Sequence, residues 1–171
     1  MLNNKKIAML CFMLLALLMD GCRVSYKLSD ASVPEDAKSA SVAMFINSAP
    51  LANPNLSQLL TEGLKDVIQN QSRLFIINSQ AHLQFAGNIT AYDIRPVAIQ
   101  GDETAGLNRL TVTLQVEYTN TLDEKKSFRQ NFTRFSDFPS DKELNSVEDQ
   151  LNAEIVKQLT QDIFDKAFSN W

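Results

Sequence analysis

Few residues of this chain have the type and spacing to do chemistry. One histidine, His82, stands at the head of a strand-like stretch, with no cysteine or second histidine beside it. Metal centres draw on several such ligands, so a surface or edge histidine is the plainer reading. Serine and aspartate are plentiful, but no Gly-x-Ser-x-Gly turn positions a nucleophile. "GDETAG", residues 101–106, has two glycines without the Gly-Lys-Ser/Thr of a phosphate loop. Its Asp102 and Glu103 read as a solvated loop. Asp137, Asp141 and Glu143 lack the spacing of a calcium loop and read as a solvated connection. No catalytic residue, metal or cofactor is expected. That leaves the thiols, Cys11 and Cys22, and Cys22 closes an apolar run directly after Gly21.

Lys5 and Lys6 precede an uncharged run from Ile7 to Met19. A basic start and a short apolar centre make an export signal, and the run is short of the roughly 20 residues a membrane helix needs. Gly21-Cys22 resembles the lipobox of bacterial lipoproteins, in which the thiol takes a diacylglycerol and cleavage frees the amine for another acyl chain. Met19 stands where leucine is usual, and Asp20 is unusual before the glycine. An ordinary cleaved signal with Cys22 left free is the competing reading. Removing residues 1–21 leaves 150 residues, 14 basic and 19 acidic, a net charge of about −5. Cys22 is then the lone cysteine, so an exported fold must stand on its core without a disulfide, and 150 residues suffice for one domain. The acidic balance argues against a nucleic-acid module. Phe128 to Phe138 interleaves with Arg129 and Arg134, but core phenylalanines explain that better than base stacking. No aspartate follows Cys22, so the expected location is the outer membrane, lipid-anchored on the periplasmic side.

The elements that must carry such a protein are legible as patterns. Residues 1–21 read as signal, 22–40 as lipidated cysteine and tether, and 41–171 as one domain. Val42–Ile46 is a short apolar strand. Asn53-Pro54 marks a helix start, followed by Leu56, Leu59, Leu60, Leu64, Val67 and Ile68 at helical spacing. Gly63 weakens that helix but allows close packing on a sheet. Arg73–Asn78 is a second strand. Leu83, Phe85, Gly87 and Ile89 begin a third, whose end Pro96 confines to an edge or bulge. Leu110, Val112, Leu114, Val116 and Tyr118 alternate with polar residues, one face buried and one wet. A turn from Asn120 to Lys126 leads to a returning strand with Phe128 and Phe132 on one face. Phe135 breaks that parity, so a bulge is expected near Thr133 or Arg134. Asn145 and Glu148 resemble a capping box before Val147, Leu151, Ile155, Leu159, Ile163 and Ala167. Taken as strand, helix, three strands, helix, the fold class is α+β: a two-layer sandwich with a four-stranded, mostly antiparallel sheet and both helices on one face.

Whole stretches carry a resemblance. The lipobox, "VSYKLSDASVP", "NSAPLANPNLSQLLTEGLKDVI", "RLFIINSQAHLQFAGNITAYDIRPVAIQGDETAGLNRLTVTLQVEYTN" and "SVEDQLNAEIVKQLTQDIFDKAFSNW" resemble the LptE family of lipopolysaccharide-assembly lipoproteins, in its Bacteroidota form. The resemblance implies a non-enzymatic plug within the barrel of LptD, the outer-membrane lipopolysaccharide translocon. It also implies contact with lipopolysaccharide. Lipid A carries phosphates, and loop cations suit them. The candidates by loop position are Arg95 and Arg109, around the 100–108 loop, and Lys125 and Lys126 in the hairpin turn. Surface solubility would equally account for each of the four. Two other classes stay open: a periplasmic lipoprotein that activates a cell-wall synthase of the penicillin-binding type, and a lipid-anchored hydrolase.

Overall fold

The computed structural model describes residues 33–97 and 106–168. Cys22 and the signal lie outside the described residues, as do residues 98–105. The strands are β1 (Ser39–Val42), β2 (Ile46–Asn47), β3 (Phe75–Ile76), β4 (Leu83–Val97), β5 (Leu107–Asn120) and β6 (Phe128–Pro139). The helices are α1 (Leu56–Gln71), between β2 and β3, and α2 (Leu144–Phe168), after β6. The sheet runs β3-β1-β4-β5-β6, with β2 also pairing to β4.

The expected four mostly antiparallel strands are therefore corrected to six in a mixed sheet. The four-stranded reading undercounts the five strand-like stretches of the sequence; all five form strands, and Val42–Ile46 is divided between two. β1 ends at Val42 and β2 begins at Ile46, both running parallel to β4. Between them the chain leaves the ladder so that Phe45 turns inward. Its amide donates to Thr61 Oγ1 at 3.0 Å, and its ring lies against Gly87, where a Cβ would stand 2.2 Å from the ring. β1 also runs parallel to β3, because α1 carries the chain back across the sheet before β3 starts. Only β4-β5 and β5-β6 are antiparallel hairpins. The packed region already includes Ala37 and Ala40, both buried, within the stretch read as tether.

α1 buries Leu56, Leu60, Leu64 and Ile68, spaced four apart, while Leu59 stays 43% exposed. Its cap position is Asn55, not Asn53. The Asn53 side chain instead accepts from the Asn55 amide, an Asx turn that precedes the helix. Gly63 faces α2 rather than the sheet, with Val156 Cγ1 only 3.1 Å from where its Cβ would be. α2 begins at Leu144, so Asn145 lies inside the helix and no capping box forms. Glu148 accepts the Tyr92 hydroxyl at 2.8 Å instead, because a buried phenol needs a partner more than a helix end open to water does. Leu151, Ile155, Leu159, Ile163 and Phe168 of α2 join the inward residues of β4, β5 and β6 in one core. At one end Phe85, Tyr118 and Phe128 stack in series, with centroids 4.9 and 5.2 Å apart.

Two local expectations move. The β5-β6 ladder runs unbroken from Leu107-Pro139 to Tyr118-Phe128, so β6 has no bulge. The irregularity lies in β4, where the register shifts between Ile89 and Ala91. It switches the inward set from Leu83, Phe85 and Ile89 to Tyr92. Beyond that point β4 pairs with β5 alone among the described residues, which is the edge that Pro96 requires.

Candidate functional site

The outward face of β4, β5 and β6 is the broad surface that the helices leave uncovered among the described residues. β5 contributes Arg109, Thr111, Thr113, Gln115, Glu117 and Thr119, which alternate with its buried residues. β6 contributes Arg129, Asn131, Thr133, Phe135 and Asp137. The hairpin register sets these opposite one another, and three of the opposed pairs bond. Thr113 and Thr133 hydroxyls meet at 3.0 Å. Arg129 Nη2 donates to Glu117 Oε2 at 2.8 Å. Arg109 Nε and Nη2 donate to Asp137 Oδ1 and Oδ2 at 2.7 and 2.8 Å, a two-pronged grip. That grip holds the Asp137 carboxyl below its ordinary value, and the carboxylate in turn raises Arg109.

Phe135 belongs to this face. It keeps the outward parity of the strand, 47% exposed, and Arg109 lies over its ring, with the guanidinium carbon 3.7 Å from the centroid. The face thus satisfies most of its charges internally and offers hydroxyls, amides and one aromatic edge. Beside β2 it dips into a hollow of about 250 Å³ lined by Ile46, Asn88, Gln115, Glu117 and Arg129, among others. Asn88 Oδ1 is buried there with no hydrogen-bond partner among the described residues.

The four basic candidates fall into two pairs. Arg95 and Arg109 are directly opposed on β4 and β5, at the end of the sheet beside residues 98–105. Lys125 and Lys126 ride on the short 3-10 turn Glu124–Lys126 at the other end. The Asp123 side chain, accepting from the Lys125 amide, holds that turn. So does Asn120, which accepts from the amides of Leu122 and Asp123. Eleven residues of β5 separate Arg109 from the turn, about 36 Å of strand, so no single phosphate group meets all four. Asp137 and Phe135 were missed as site residues. Their signal was the hairpin itself: once its turn is placed, cross-strand partners follow by counting, and Arg109 falls opposite Asp137. His82 accepts the Lys38 amide at Nδ1, 3.1 Å, tying the first described segment to β4. No described helix is long and apolar enough to cross a membrane.

A mixed sheet with two helices on one face and a self-paired polar surface on the other defines a small α+β domain with one face of its sheet uncovered among the described residues. Residues 37–167 match the LptE, lipopolysaccharide-assembly family, and the chain belongs to that family. No curated protein matches it in sequence. Among solved structures it is similar in fold to a hypothetical protein of Chlamydia trachomatis, at 10% identity and a TM-score of 0.51, covering 78% of this chain and all of that one. It is similar as well to a protein of Xanthomonas campestris, at 9% identity and 0.51, covering 79% and 86%. A minor lipoprotein of Acinetobacter baumannii aligns at 19% identity and 0.42, covering 78% and 94%.

Proposed function

We propose that the mature chain is an outer-membrane lipoprotein, acylated at Cys22, that plugs the barrel of an LptD-type translocon and assists delivery of lipopolysaccharide to the outer leaflet. Family membership supports the lipopolysaccharide pathway. The observation that favours a plug is the outward face of β5 and β6. Large outer-membrane barrels have polar interiors. An occupant needs a surface that hydrogen-bonds without bringing in unpaired charge, and the Glu117-Arg129, Thr113-Thr133 and Arg109-Asp137 pairs supply one.

For lipopolysaccharide itself the reading favours the end of the sheet where Arg95 lies opposite Arg109 as the lipid A phosphate contact, with Arg95 the leading cation and Arg109 contributing through Nη1, the nitrogen outside its grip on Asp137. Lys125 and Lys126 would meet a second acidic group at the far end. The deciding experiment is an affinity pull-down from detergent-solubilised outer membrane. Recovery of an LptD-type barrel is expected. A penicillin-binding protein in its place would move the chain to the synthase-activator class.

A further inference from the structure

The two edges of the sheet are unequal. One is closed by β3, only two residues long. The other is β6, twelve residues long, paired on one side only among the described residues. Native sheets rarely leave a long edge open, because its free N–H and C=O groups template another strand.

The ladder shows which residues own those groups. The Ser140 amide donates to Gly106 O at 2.9 Å, so Gly106 and Ser140 form a hydrogen-bonded pair. Counting back in twos along the unbroken register, Phe138, Ser136, Arg134, Phe132, Gln130 and Phe128 point their backbone groups at β5. Arg129, Asn131, Thr133, Phe135 and Asp137 point theirs at the open edge. These same residues put their side chains on the polar outer face.

Their order is Arg, Asn, Thr, Phe, Asp, with opposite charges at equal distances either side of Thr133. An antiparallel copy of β6, turned about Thr133, sets Arg129 opposite Asp137 of the second copy, and the reverse. The contact extends two pairs already present, giving a row of alternating sign: Glu117, Arg129, then Asp137 and Arg109 of the second copy. Sliding the copy by two residues in either direction takes Arg129 and Asp137 out of register. A parallel in-register copy stacks like on like. We propose that β6 is a self-association edge, through which two copies join their sheets antiparallel about Thr133. Two joined sheets do not fit one barrel lumen, so the pairing concerns copies not seated in a barrel, and its failure leaves the plug reading untouched.

The test is disulfide trapping of the full-length protein in isolated membranes. Residues opposed in a hydrogen-bonded pair have Cα atoms about 5.5 Å apart, a span that a disulfide bridges. Thr133→Cys is expected to give an adduct of twice the chain's mass. Asn131→Cys is expected to give none, because the two copies of that residue lie about 13 Å apart along the ladder. The parent chain serves as blank. Failure of Thr133→Cys to cross-link overturns the proposal, as does equal cross-linking of both variants. A mixed adduct with another polypeptide and no homodimer also overturns it, and assigns the edge to a foreign strand. As a second measurement, Thr133→Pro removes an edge donor but no β5 bond. It should halve the detergent-corrected mass of the purified protein with its circular dichroism unchanged; a parent protein already of monomer mass overturns the proposal.

Discussion

The guanidinium carbon of Arg109 lies over the ring of Phe135, 3.7 Å from its centroid, while the same group grips Asp137 on the same neighbouring strand. Asp137 is directly opposite Arg109 and Phe135 is the diagonal neighbour, both within reach across an antiparallel pair. One arginine therefore answers two questions the sequence raises: why a phenylalanine faces outward, and where the charge before the last helix goes.

Asp137→Asn should change the acid limb of stability. Arg109 lowers the Asp137 carboxyl below its ordinary 3.8. A carboxyl lowered in the folded state stabilises fully above that ordinary value and ceases to do so as pH falls through the folded value. Acid titration followed by circular dichroism should show a shallower decline below pH 3.8 for the variant than for the parent, with lower stability at neutral pH.

Gly87→Ala should destabilise by about 1–3 kcal/mol, the usual cost of overpacking a core. The new methyl would stand 2.2 Å from a Phe45 ring that is itself buried and held through Thr61. Urea unfolding with an unchanged slope would register it as a shift in midpoint.

Tyr92→Phe should cost about 1–3 kcal/mol, because it leaves the Glu148 carboxylate without its donor and the buried Asn152 side chain without its partner. The phenols also set an alkaline limit. Burial pushes Tyr118 up to about 12 and raises Tyr92 further, with the Glu148 bond adding to it. A group raised in the folded state stabilises fully below its ordinary value of 10.0 and ceases to do so as pH climbs from there through the folded value. Unfolding followed by phenolate absorbance should begin above pH 10.0, and stability should fall more steeply with pH there for the parent than for Tyr92→Phe.

Arg95→Ser with Arg109→Ser should weaken lipopolysaccharide binding at least tenfold, the loss of about 1.4 kcal/mol or more. Lys125→Ser with Lys126→Ser should weaken it less. Binding to immobilised lipopolysaccharide, measured over a salt series, checks both. An unchanged affinity for the arginine pair would remove that end of the sheet from the lipid A contact.

Cys22 should carry acyl chains at the mature N-terminus, seen as added mass on the first tryptic peptide and abolished in Cys22→Ser. An unmodified Cys22 would return the chain to the class of exported proteins without an anchor.

Much of the fold is legible where a pattern is local. The alternation from Leu110 to Tyr118 becomes β5 with its inward set as read, because period two places every second side chain on one face whatever the neighbours are. The four-residue steps of Leu56 to Ile68 and Leu151 to Ile163 become the buried stripes of α1 and α2 for the same reason. Legibility fails where a local sign has two causes. Phe135 out of parity is equally a bulge or an outward aromatic, and only Arg109 across the hairpin distinguishes them. "VAMFI" is equally one strand or two, and Gly87, forty-odd residues later, makes the room that turns Phe45 inward and splits it.

By itself, then, the sequence determined the α+β class, the helix stripes, the long hairpin and the cations on offer, since each follows from composition and spacing along one stretch of chain. Tertiary structure alone decided the six-stranded order with its parallel half, the shift after Ile89, the grip of Arg109 on Asp137 and Phe135, and the separation of Arg95 and Arg109 from Lys125 and Lys126. These are relations between residues far apart in the chain. They depend on register, which no single stretch encodes, because a strand's alternation names its buried face but not its neighbour.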